Sequence, residues 1–401
     1  VERDRAIANF KPEAIFSVRG YFPSVAGRKQ PFVVADVKPF FDQRRDEVLG
    51  RSKLDPDDDR KFFWTYDKAQ GFAIACGEKG MRYTVSDESK EAQEKAPVAF
   101  DLTGAQKEAF NRFGFSATKT LGILQELYEQ RKVLTYPRTD FKHFPDDYSS
   151  KLPATLKSVV QKLNDPDWVA QPMDLAKMSQ SKAFDSSKVG DHFALAPTDN
   201  VAGLDGLSGD GLSIYLMVVE RCLMALDEPA VFDVVQRTWK KDPEALLPYR
   251  PVIFTTQAKQ LRKPGWRRWA GAQAANEGEE DVSPMPTLKG GTENAIKFEV
   301  HESKTTPPKH FNEATLLAAM ESAANRVTCS VLDEGLEASD IAEFMKEKGL
   351  GTPATRGPLI EELLRDEYLK RSGSGKNAKI LATPLAEQIY DELVSRCSFM
   401  V

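Results

Sequence analysis

Cysteine and histidine are scarce in this sequence, whose 401 residues include only four of each. The cysteines lie far apart, at positions 76, 222, 329 and 397, with no CxxC pair. This spacing supports neither a zinc site nor a disulfide framework, so we expect a reducing, cytoplasmic environment. No apolar run approaches the roughly 18 residues that a membrane span requires, and the first residues, VERDR, do not resemble a signal peptide.

An excess of positive charge is also missing. Lys and Arg total 55 against 60 Asp and Glu, which gives a net charge of −5. This balance excludes a histone-like polycation but not an enzyme that acts on nucleic acid, because binding depends on where the basic residues lie. Hydrophobic residues make up 41% of the chain and charged residues 29%, so a sizeable core is possible. The length predicts roughly two to four packed units.

Strand-like and helical patterns divide the chain into blocks. Strand patterns before and after a helical centre predict one interrupted β-domain, and the chain is helical again towards its end. Strand patterns occupy residues 13–40, 61–77, 231–261 and 294–301, and helical patterns occupy 101–132 and the region after 311. The first segment, VERDRAIANF, lacks an N-cap and an initiating Met, and SRCSFMV ends the chain without forming an element. We therefore expect the chain to be a piece of a longer protein.

A winged-helix DNA-binding unit is one interpretation of the C-terminal region. The helix SDIAEFMKEK (339–348) precedes a second helix within TPATRGPLIEELLRDEYL (352–369), and the hairpin RSGSGKNAKI (371–380) follows. Helix, turn, helix and hairpin is the order of such a unit. Basic residues of the hairpin are Lys370, Arg371, Lys376 and Lys379. An ordinary helical hairpin is the alternative.

The segment LTYPRTD (134–140) contains residues suited to phosphoryl chemistry. A free tyrosine has a pKa of about 10 and is a poor nucleophile near neutral pH. Nearby positive charge would stabilise both its phenolate and a pentavalent phosphate. Residues two apart on an extended segment point to the same side, so Arg138 can join Tyr136 at one phosphate. Tyr-x-Arg alone is common, however, and most such tyrosines are packed or solvated.

The segments around LTYPRTD give this motif its context. In order and spacing they resemble motifs of the type IA DNA topoisomerases, most closely those of the topoisomerase III branch. The resemblance covers essentially the whole chain, and so many motifs in one order argue against coincidence. The matching segments are VAFDLT (98–103), FGFSATKTLGILQELYE (113–129), LTYPRTD, DHFALAPT (191–198), KPGWRRW (263–269), FNEATLLAAME (311–321) and GLGTPATR (349–356).

The resemblance implies catalytic roles for three residues. Tyr136 would attack a phosphate of single-stranded DNA, forming a 5′-phosphotyrosine and releasing a 3′-hydroxyl. Arg138 would stabilise the scissile phosphate, and His192 would assist through a hydrogen bond or partial positive charge. Without the resemblance, a satisfied core histidine would be the preferred interpretation of His192.

The resemblance also implies five DNA-binding residues. Gln125 and Glu129 lie one helical turn apart before the tyrosine and match positions that line the active site. Thr352, Thr355 and Arg356 match positions that hold the DNA strand at a helix N-terminus, where backbone amides favour phosphates.

Magnesium is the cofactor that the resemblance implies, but this chain departs from the family there. In the family, an N-terminal Toprim domain supplies an early Glu/Lys element and an Asp-x-Asp-x-Glu cluster, and neither is present in this sequence. The segment LDPDDD (54–59) contains acidic residues at a spacing similar to that of the Asp-x-Asp-x-Glu cluster. However, the charged residues RSK precede it instead of an apolar strand. We expect a solvated loop at this position, Mg²⁺ bound through the missing Toprim domain, and no metal site in this chain.

The implied fold is multidomain α+β, the toroidal body of a type IA topoisomerase with helical and winged-helix units and a β-rich gate arch. The complete enzyme would cut one strand, pass another through the gap and reseal it, without ATP, to relax or decatenate DNA. Its partners would be single-stranded, negatively supercoiled or catenated DNA and a helicase, at the nucleoid and not at a membrane. The expected domains are a DNA-binding helical unit (1–30 and 306–401), a β-rich gate (31–97 and 226–305) and a helical domain carrying the nucleophile (98–225).

Two other classes of protein stay open. A non-catalytic winged-helix DNA-binding protein, or an inactive topoisomerase fragment, would use the same C-terminal motifs. A different tyrosine strand-transfer enzyme, such as a relaxase or recombinase, would also use a tyrosine. A relaxase needs a triad of histidines, which the four scattered positions 143, 192, 301 and 310 do not suggest. A recombinase needs an Arg/His/Arg set, and none is apparent.

We predict that the 401-residue chain alone binds single-stranded oligonucleotides, more weakly as salt rises because phosphate contacts release counterions. Without an acidic cluster for Mg²⁺ it should not relax supercoiled plasmid, and a Toprim domain fused ahead of Val1 should restore relaxation. A plasmid relaxation assay measures this. Tyr136-dependent relaxation by the chain alone would contradict the prediction and make residues 55–59 the first candidates for mutation.

Overall fold

The computed structural model describes eight stretches of the chain. Outside them lie the acidic LDPDDD, the predicted helix at 339–348 and residues 271–287, whose composition is typical of a loop. The described residues are 1–23, 32–37, 63, 65–77, 82–241, 252–270, 291–322 and 349–396.

A seven-stranded antiparallel sheet combines strands from both sides of the helical centre, as predicted. Its spatial order is β6-β3-β4-β5-β2-β1-β7, so the strands of the two chain regions interleave. The longest pairing joins β3 and β4, from Tyr83 opposite Lys241 to Glu94 opposite Ala230. The strands are β1 (Ala14–Pro23), β2 (Phe32–Val37), β3 (Tyr83–Glu94), β4 (Ala230–Lys241), β5 (Ile253–Lys263), β6 (Gly291–Glu293) and β7 (Lys297–Lys304).

Two details of the sheet region differ from the sequence predictions. Strand β1 lies within residues 1–30, which we predicted for the DNA-binding unit, yet it pairs with β2 and β7 in the sheet. Part of the strand-like stretch 61–77 is helix α2 (Tyr66–Gly77). Its buried residues, Ala69, Phe72, Ala73 and Cys76, recur with helical spacing, and this period outweighs the β-propensity of the aromatic residues before it.

Residues 98–225 form a mainly helical unit with one continuous core. Capping residues mark the starts of two of its helices. Asp101 accepts a hydrogen bond from the Gly104 amide at 2.6 Å, and Ser116 accepts one from the Lys119 amide at 3.2 Å. The helices are α3 (Leu102–Phe113), α4 (Ala117–Glu129), α5 (Lys151–Leu163), α6 (Pro166–Val169), α7 (Leu175–Met178) and α8 (Gly209–Ala225).

A short 3₁₀ turn, Gly265–Trp269, connects the sheet to this helical core. Trp269 is buried among the core residues, and its indole nitrogen donates to an Asp227 carboxylate oxygen at 2.5 Å. Arg267 pairs with Glu94 at the end of β3, at 2.9 Å. The tryptophan therefore holds the two units together, with a hydrogen-bond partner for its polar edge.

The N-terminal helix packs with the C-terminal part of the chain. Helix α1 (Glu2–Ala8) presents Asp4, whose carboxylate accepts a hydrogen bond from the Ala382 amide at 2.8 Å. Both regions were predicted to share one unit. The described C-terminal elements are α9 (Glu313–Glu321), α10 (Pro353–Arg365), β8 (Leu369–Ser372), β9 (Lys379–Ala382) and α11 (Pro384–Arg396). Since residues 339–348 lie outside the described residues, the winged-helix assignment stays a prediction.

One buried ion pair joins the neighbouring strands β3 and β4 of the sheet. Arg237 of β4 donates from Nε and Nη2 to the two carboxylate oxygens of Asp87 on β3, each at 2.7 Å. The exposed fractions of these side chains are 1% and 0%. A buried pair of this kind is stable only while both charges are present, because a lone charge keeps its full desolvation cost.

We therefore predict that Asp87→Ala lowers the free energy of unfolding by about 3–5 kcal/mol. Urea unfolding monitored by circular dichroism measures the change. Replacing both members with apolar residues, Asp87→Leu with Arg237→Met, should recover much of the loss. The exposed Lys297–Glu299 pair provides the control, since Glu299→Gln should leave the unfolding midpoint nearly unchanged. A loss in the double variant equal to that of Asp87→Ala would contradict the argument.

Candidate active site

A short antiparallel ladder places the segment around Tyr136. The Thr135 amide donates to the Ala196 carbonyl oxygen at 2.9 Å, and the Thr198 amide donates to the Val133 carbonyl oxygen at the same distance. Leu134 and Pro197 face each other between these bonds. The ladder joins LTYPRTD to DHFALAPT, two motifs that are some sixty residues apart in sequence.

Further backbone hydrogen bonds tie the motif VAFDLT to the same ladder. The Leu195 amide donates to the Phe100 carbonyl oxygen at 2.8 Å, and the Leu102 amide donates to the Thr139 carbonyl oxygen at 3.0 Å. Phe100, Leu102 and Leu195 are buried. Buried amides and carbonyls need partners, so these bonds fix the backbone on both sides of Tyr136.

His192 lies beside Tyr136, as the resemblance implied. The centroids of the two rings are 4.5 Å apart, and the ring planes are inclined by 34°. The His192 side chain is exposed and that of Tyr136 is half-buried. Within the described residues neither side chain has a hydrogen-bond partner. The alternative of a satisfied core histidine is therefore wrong, because an exposed ring contributes no core packing.

Gln125 orients Arg138. With the Gln125 amide placed so that its oxygen faces the guanidinium, that oxygen accepts hydrogen bonds from Nη2 at 2.9 Å and from Nε at 3.3 Å. The last turns of α4 present Gln125, and the Arg138 side chain is otherwise exposed. Gln125 therefore holds one edge of the planar Arg138 guanidinium group, and the other edge faces solvent. Glu129 is exposed one turn later and makes no hydrogen bond or ion pair within the described part of the chain.

The three C-terminal residues of the predicted DNA-binding set separate into two kinds. Thr352 and Thr355 are exposed and form a capping box at the start of α10, in which the Thr352 amide donates to Thr355 Oγ1 at 2.9 Å. Arg356 is instead buried, with 4% of its surface exposed. Its guanidinium donates to the Leu350 and Gly351 carbonyl oxygens, at 3.0 and 3.1 Å. It also donates to Thr103 Oγ1 on α3, at 3.0 Å.

Charged side chains line the contact between α3 and α9. Glu321 of α9 pairs with Lys107 at 2.7 Å and with Lys142 at 3.1 Å, and Lys142 also reaches Asp101 at 3.3 Å. Burial raises the pKa of Asp101, although Lys142 opposes this shift. Burial also opposes ionisation of Glu321, but the two lysines hold its pKa below its ordinary value. The contact therefore favours an ionised Glu321 at neutral pH.

The sequence does not single out one residue of the site, Tyr128. Its helical spacing with Leu121, Leu124 and Leu127 is typical of the buried face of a helix. The three leucines are buried, but 37% of Tyr128 is exposed and its ring lies 5.5 Å from that of Tyr136, at 80°. The last turn of α4 places Tyr128 beside Tyr136. No sequence signal distinguishes this position from the core positions before it.

The described residues do not form a magnesium site. No group of three or more Asp, Glu, His or Cys side chains that could hold a metal occurs in the described stretches. The rings that contact Tyr136 are the imidazole of His192 and the phenol of Tyr128, whereas Mg²⁺ in proteins is bound mainly through carboxylates. Among the helices that the structure describes, none is long and apolar enough to cross a membrane.

Comparison with known proteins identifies the relatives of this chain. DNA topoisomerase 3 of Vibrio cholerae is 28% identical over 407 residues, which cover all of this chain and 56% of that protein. DNA topoisomerase 3 of Salmonella typhimurium is 33% identical over 287 residues, which cover 71% of this chain and 41% of that protein. The chain thus spans roughly half the length of the curated relatives that it matches.

A solved structure supports the α+β fold independently. Full-length topoisomerase I from Thermotoga maritima aligns with a TM-score of 0.60 and 17% sequence identity, over 99% of this chain and 54% of that one. A family model described as DNA topoisomerase matches residues 1–400. The ordered motifs, the fold and this match over nearly the whole chain lead to one conclusion: the chain belongs to the type IA DNA topoisomerase family and is similar to its topoisomerase III members.

Proposed function

We propose that this chain carries the strand-cleaving tyrosine of a type IA topoisomerase, which relaxes or decatenates DNA through a transient single-strand break. The observation that carries the proposal is the placement of Tyr136. Its hydroxyl has no hydrogen-bond partner within the described residues, and its ring contacts His192 at 4.5 Å. Arg138, two residues further, is held by Gln125. A nucleophile and a phosphate-binding cation therefore occupy one rigid backbone segment.

In the proposed reaction, the Tyr136 oxygen attacks phosphorus and the bond from phosphorus to the 3′-oxygen breaks. The tyrosine loses its proton, the 3′-oxygen gains one, and a 5′-phosphotyrosine links the protein to the strand. Arg138 stabilises the additional negative charge on the phosphate through charge-assisted hydrogen bonds. His192 supplies a hydrogen bond or partial positive charge beside the phenol. Resealing reverses the same steps after another strand has passed through the gap.

Strand binding extends from this site to the C-terminal unit. The exposed hydroxyls of Thr352 and Thr355 and the N-terminal amides of α10 form a surface suited to a phosphate. Lys370, Lys376 and Lys379 are exposed on the hairpin and would contribute salt-dependent contacts. Arg356 acts indirectly, by fixing the loop before α10. Glu129 would line the path of the strand near Gln125.

The proposed substrates are single-stranded regions of negatively supercoiled or catenated DNA, bound at the bacterial nucleoid with a helicase as partner. Mg²⁺ would act through a Toprim domain that this sequence does not contain. A purely DNA-binding winged-helix protein would need none of the Tyr136 site. No feature of the described residues favours that alternative.

Tyr136→Phe tests the nucleophile. In a polypeptide completed with a Toprim domain, the unaltered protein should form a covalent protein–DNA adduct that survives denaturation, and Tyr136→Phe should abolish it. Removing one oxygen leaves the contacts of the ring with His192 and Tyr128 in place. Tyr66→Phe, at an exposed tyrosine of α2, is the matched control and should form adduct normally. Adduct formation by Tyr136→Phe would refute the assignment, whereas absence of any adduct from the unaltered completed protein would favour the purely DNA-binding alternative.

Arg138→Lys and Gln125→Leu test the phosphate-binding group. The planar fork of arginine binds two phosphate oxygens, which the point charge of lysine does less well. Each variant should slow cleavage by roughly 10- to 100-fold, as expected from hydrogen bonds to charged groups of about 1.5–3 kcal/mol. Strand binding, measured by anisotropy, should weaken much less. Arg365→Lys, at an exposed arginine of α10, is the control. Equal losses in cleavage and binding would show that Arg138 only holds DNA.

A further inference from the structure

Three aromatic rings lie in a row at the proposed cleavage site. The Tyr136 ring is flanked by the Tyr128 ring, at 5.5 Å and 80°, and by the His192 ring, at 4.5 Å and 34°. The two outer rings are exposed to solvent and the central ring is half-buried. His192 and Tyr136 belong to the reaction already proposed, but that reaction gives Tyr128 no role.

Packing in the hydrophobic core does not explain the position of the Tyr128 side chain. Leu121, Leu124 and Leu127 contribute the buried face of α4, while 37% of the Tyr128 side chain is exposed. Tyrosines that do serve the cores of this chain are far more buried, such as Tyr215 at 1% exposure and Tyr83 at 0%. The Tyr83 hydroxyl also donates to the Cys76 carbonyl oxygen at 3.0 Å. The Tyr128 hydroxyl has no such partner within the described residues.

The chemistry around Tyr128 indicates what its ring contacts. An exposed aromatic ring beside a phosphate-binding arginine is the combination that proteins use for single-stranded nucleic acid. Arginine binds the backbone, and the ring stacks on a base that is not paired with another strand. Every base has a π-face, so such a contact tolerates any sequence. Gln125, which holds Arg138, lies three residues before Tyr128 on α4, and residues three apart on a helix are neighbours, so one stretch of this helix both orients the arginine and presents the ring.

We propose that Tyr128 is a stacking platform for the nucleobase next to the phosphate that Tyr136 attacks. This inference rests on the proposed function, because it requires single-stranded DNA at Tyr136. The stacked base fixes its own nucleotide, and the attached phosphate is then presented between Arg138 and the phenol oxygen. Since the Tyr128 ring also contacts Tyr136, one side chain aligns the substrate and the nucleophile together.

Oligonucleotide binding by the 401-residue chain tests this inference. Fluorescence anisotropy is measured with a single-stranded oligonucleotide and with a series in which each position in turn is abasic. Tyr128→Leu should weaken binding of the intact oligonucleotide by about 5- to 150-fold, the range expected for loss of one stacked base. Tyr128→Phe keeps the ring and should restore binding to within about threefold. Tyr66→Leu, at an exposed tyrosine on α2 that contacts Phe16, is the matched control and should bind normally.

The abasic series separates stacking from a general structural effect. If one base stacks on Tyr128, then at one abasic position the unaltered chain and Tyr128→Leu should bind equally, because the partner of the ring is gone from both complexes. A loss in Tyr128→Leu that persists at every abasic position would overturn the inference, and so would normal binding by this variant or an equal loss in Tyr128→Phe. In those cases the unaltered chain still binds DNA, so the proposed function stands. Failure of the unaltered chain to bind any oligonucleotide would overturn both.

Discussion

The backbone ladder between residues 133–135 and 196–198 is the constraint on which the site depends. It lies within a buried core, where an unpaired amide or carbonyl would cost about 1–3 kcal/mol. A shift of one residue would leave several such groups unpaired and turn Leu134 away from the core. The ladder therefore determines where His192 lies relative to Tyr136. His192 and Tyr136 belong to motifs that are far apart in the sequence. Their rings are in contact because the paired backbone segments beside them cannot shift in register.

A second constraint acts at the opposite end of α4. Glu313, the first residue of α9, is buried, and its carboxylate accepts a hydrogen bond from the Ala117 amide at 2.6 Å. A negative charge at a helix N-terminus is favourable, because the unpaired amides there carry partial positive charge. The same carboxylate pairs with Arg371 of the hairpin, at 3.1 Å. The C-terminal unit thus holds the first turn of the helix whose last turns carry Gln125 and Tyr128.

Arg356 contributes to the same contact from α10. Its hydrogen bond to Thr103 links the loop before α10 to the first turn of α3. Next to it, a Cβ added to Gly357 would lie 3.1 Å from the Ala117 Cβ, so the helices approach more closely than a larger residue allows. Motifs that the sequence connects with DNA binding therefore also fix the geometry between the units. The contact therefore determines where the exposed threonines at the start of α10 lie relative to α3 and α4.

The sequence by itself determined the family and the main elements, and it identified the segment around Tyr136 as the candidate site. Asp101 and Ser116 are local signals, because a capping side chain bonds to amides only a few residues away. The Tyr-x-Arg spacing is local in the same sense. The tertiary structure alone decided that Arg356 is buried and that Tyr128 is exposed beside Tyr136. Each of these outcomes depends on which part of the fold packs against the residue. A periodic sequence pattern indicates that a residue is buried, but it does not identify the residues that it contacts.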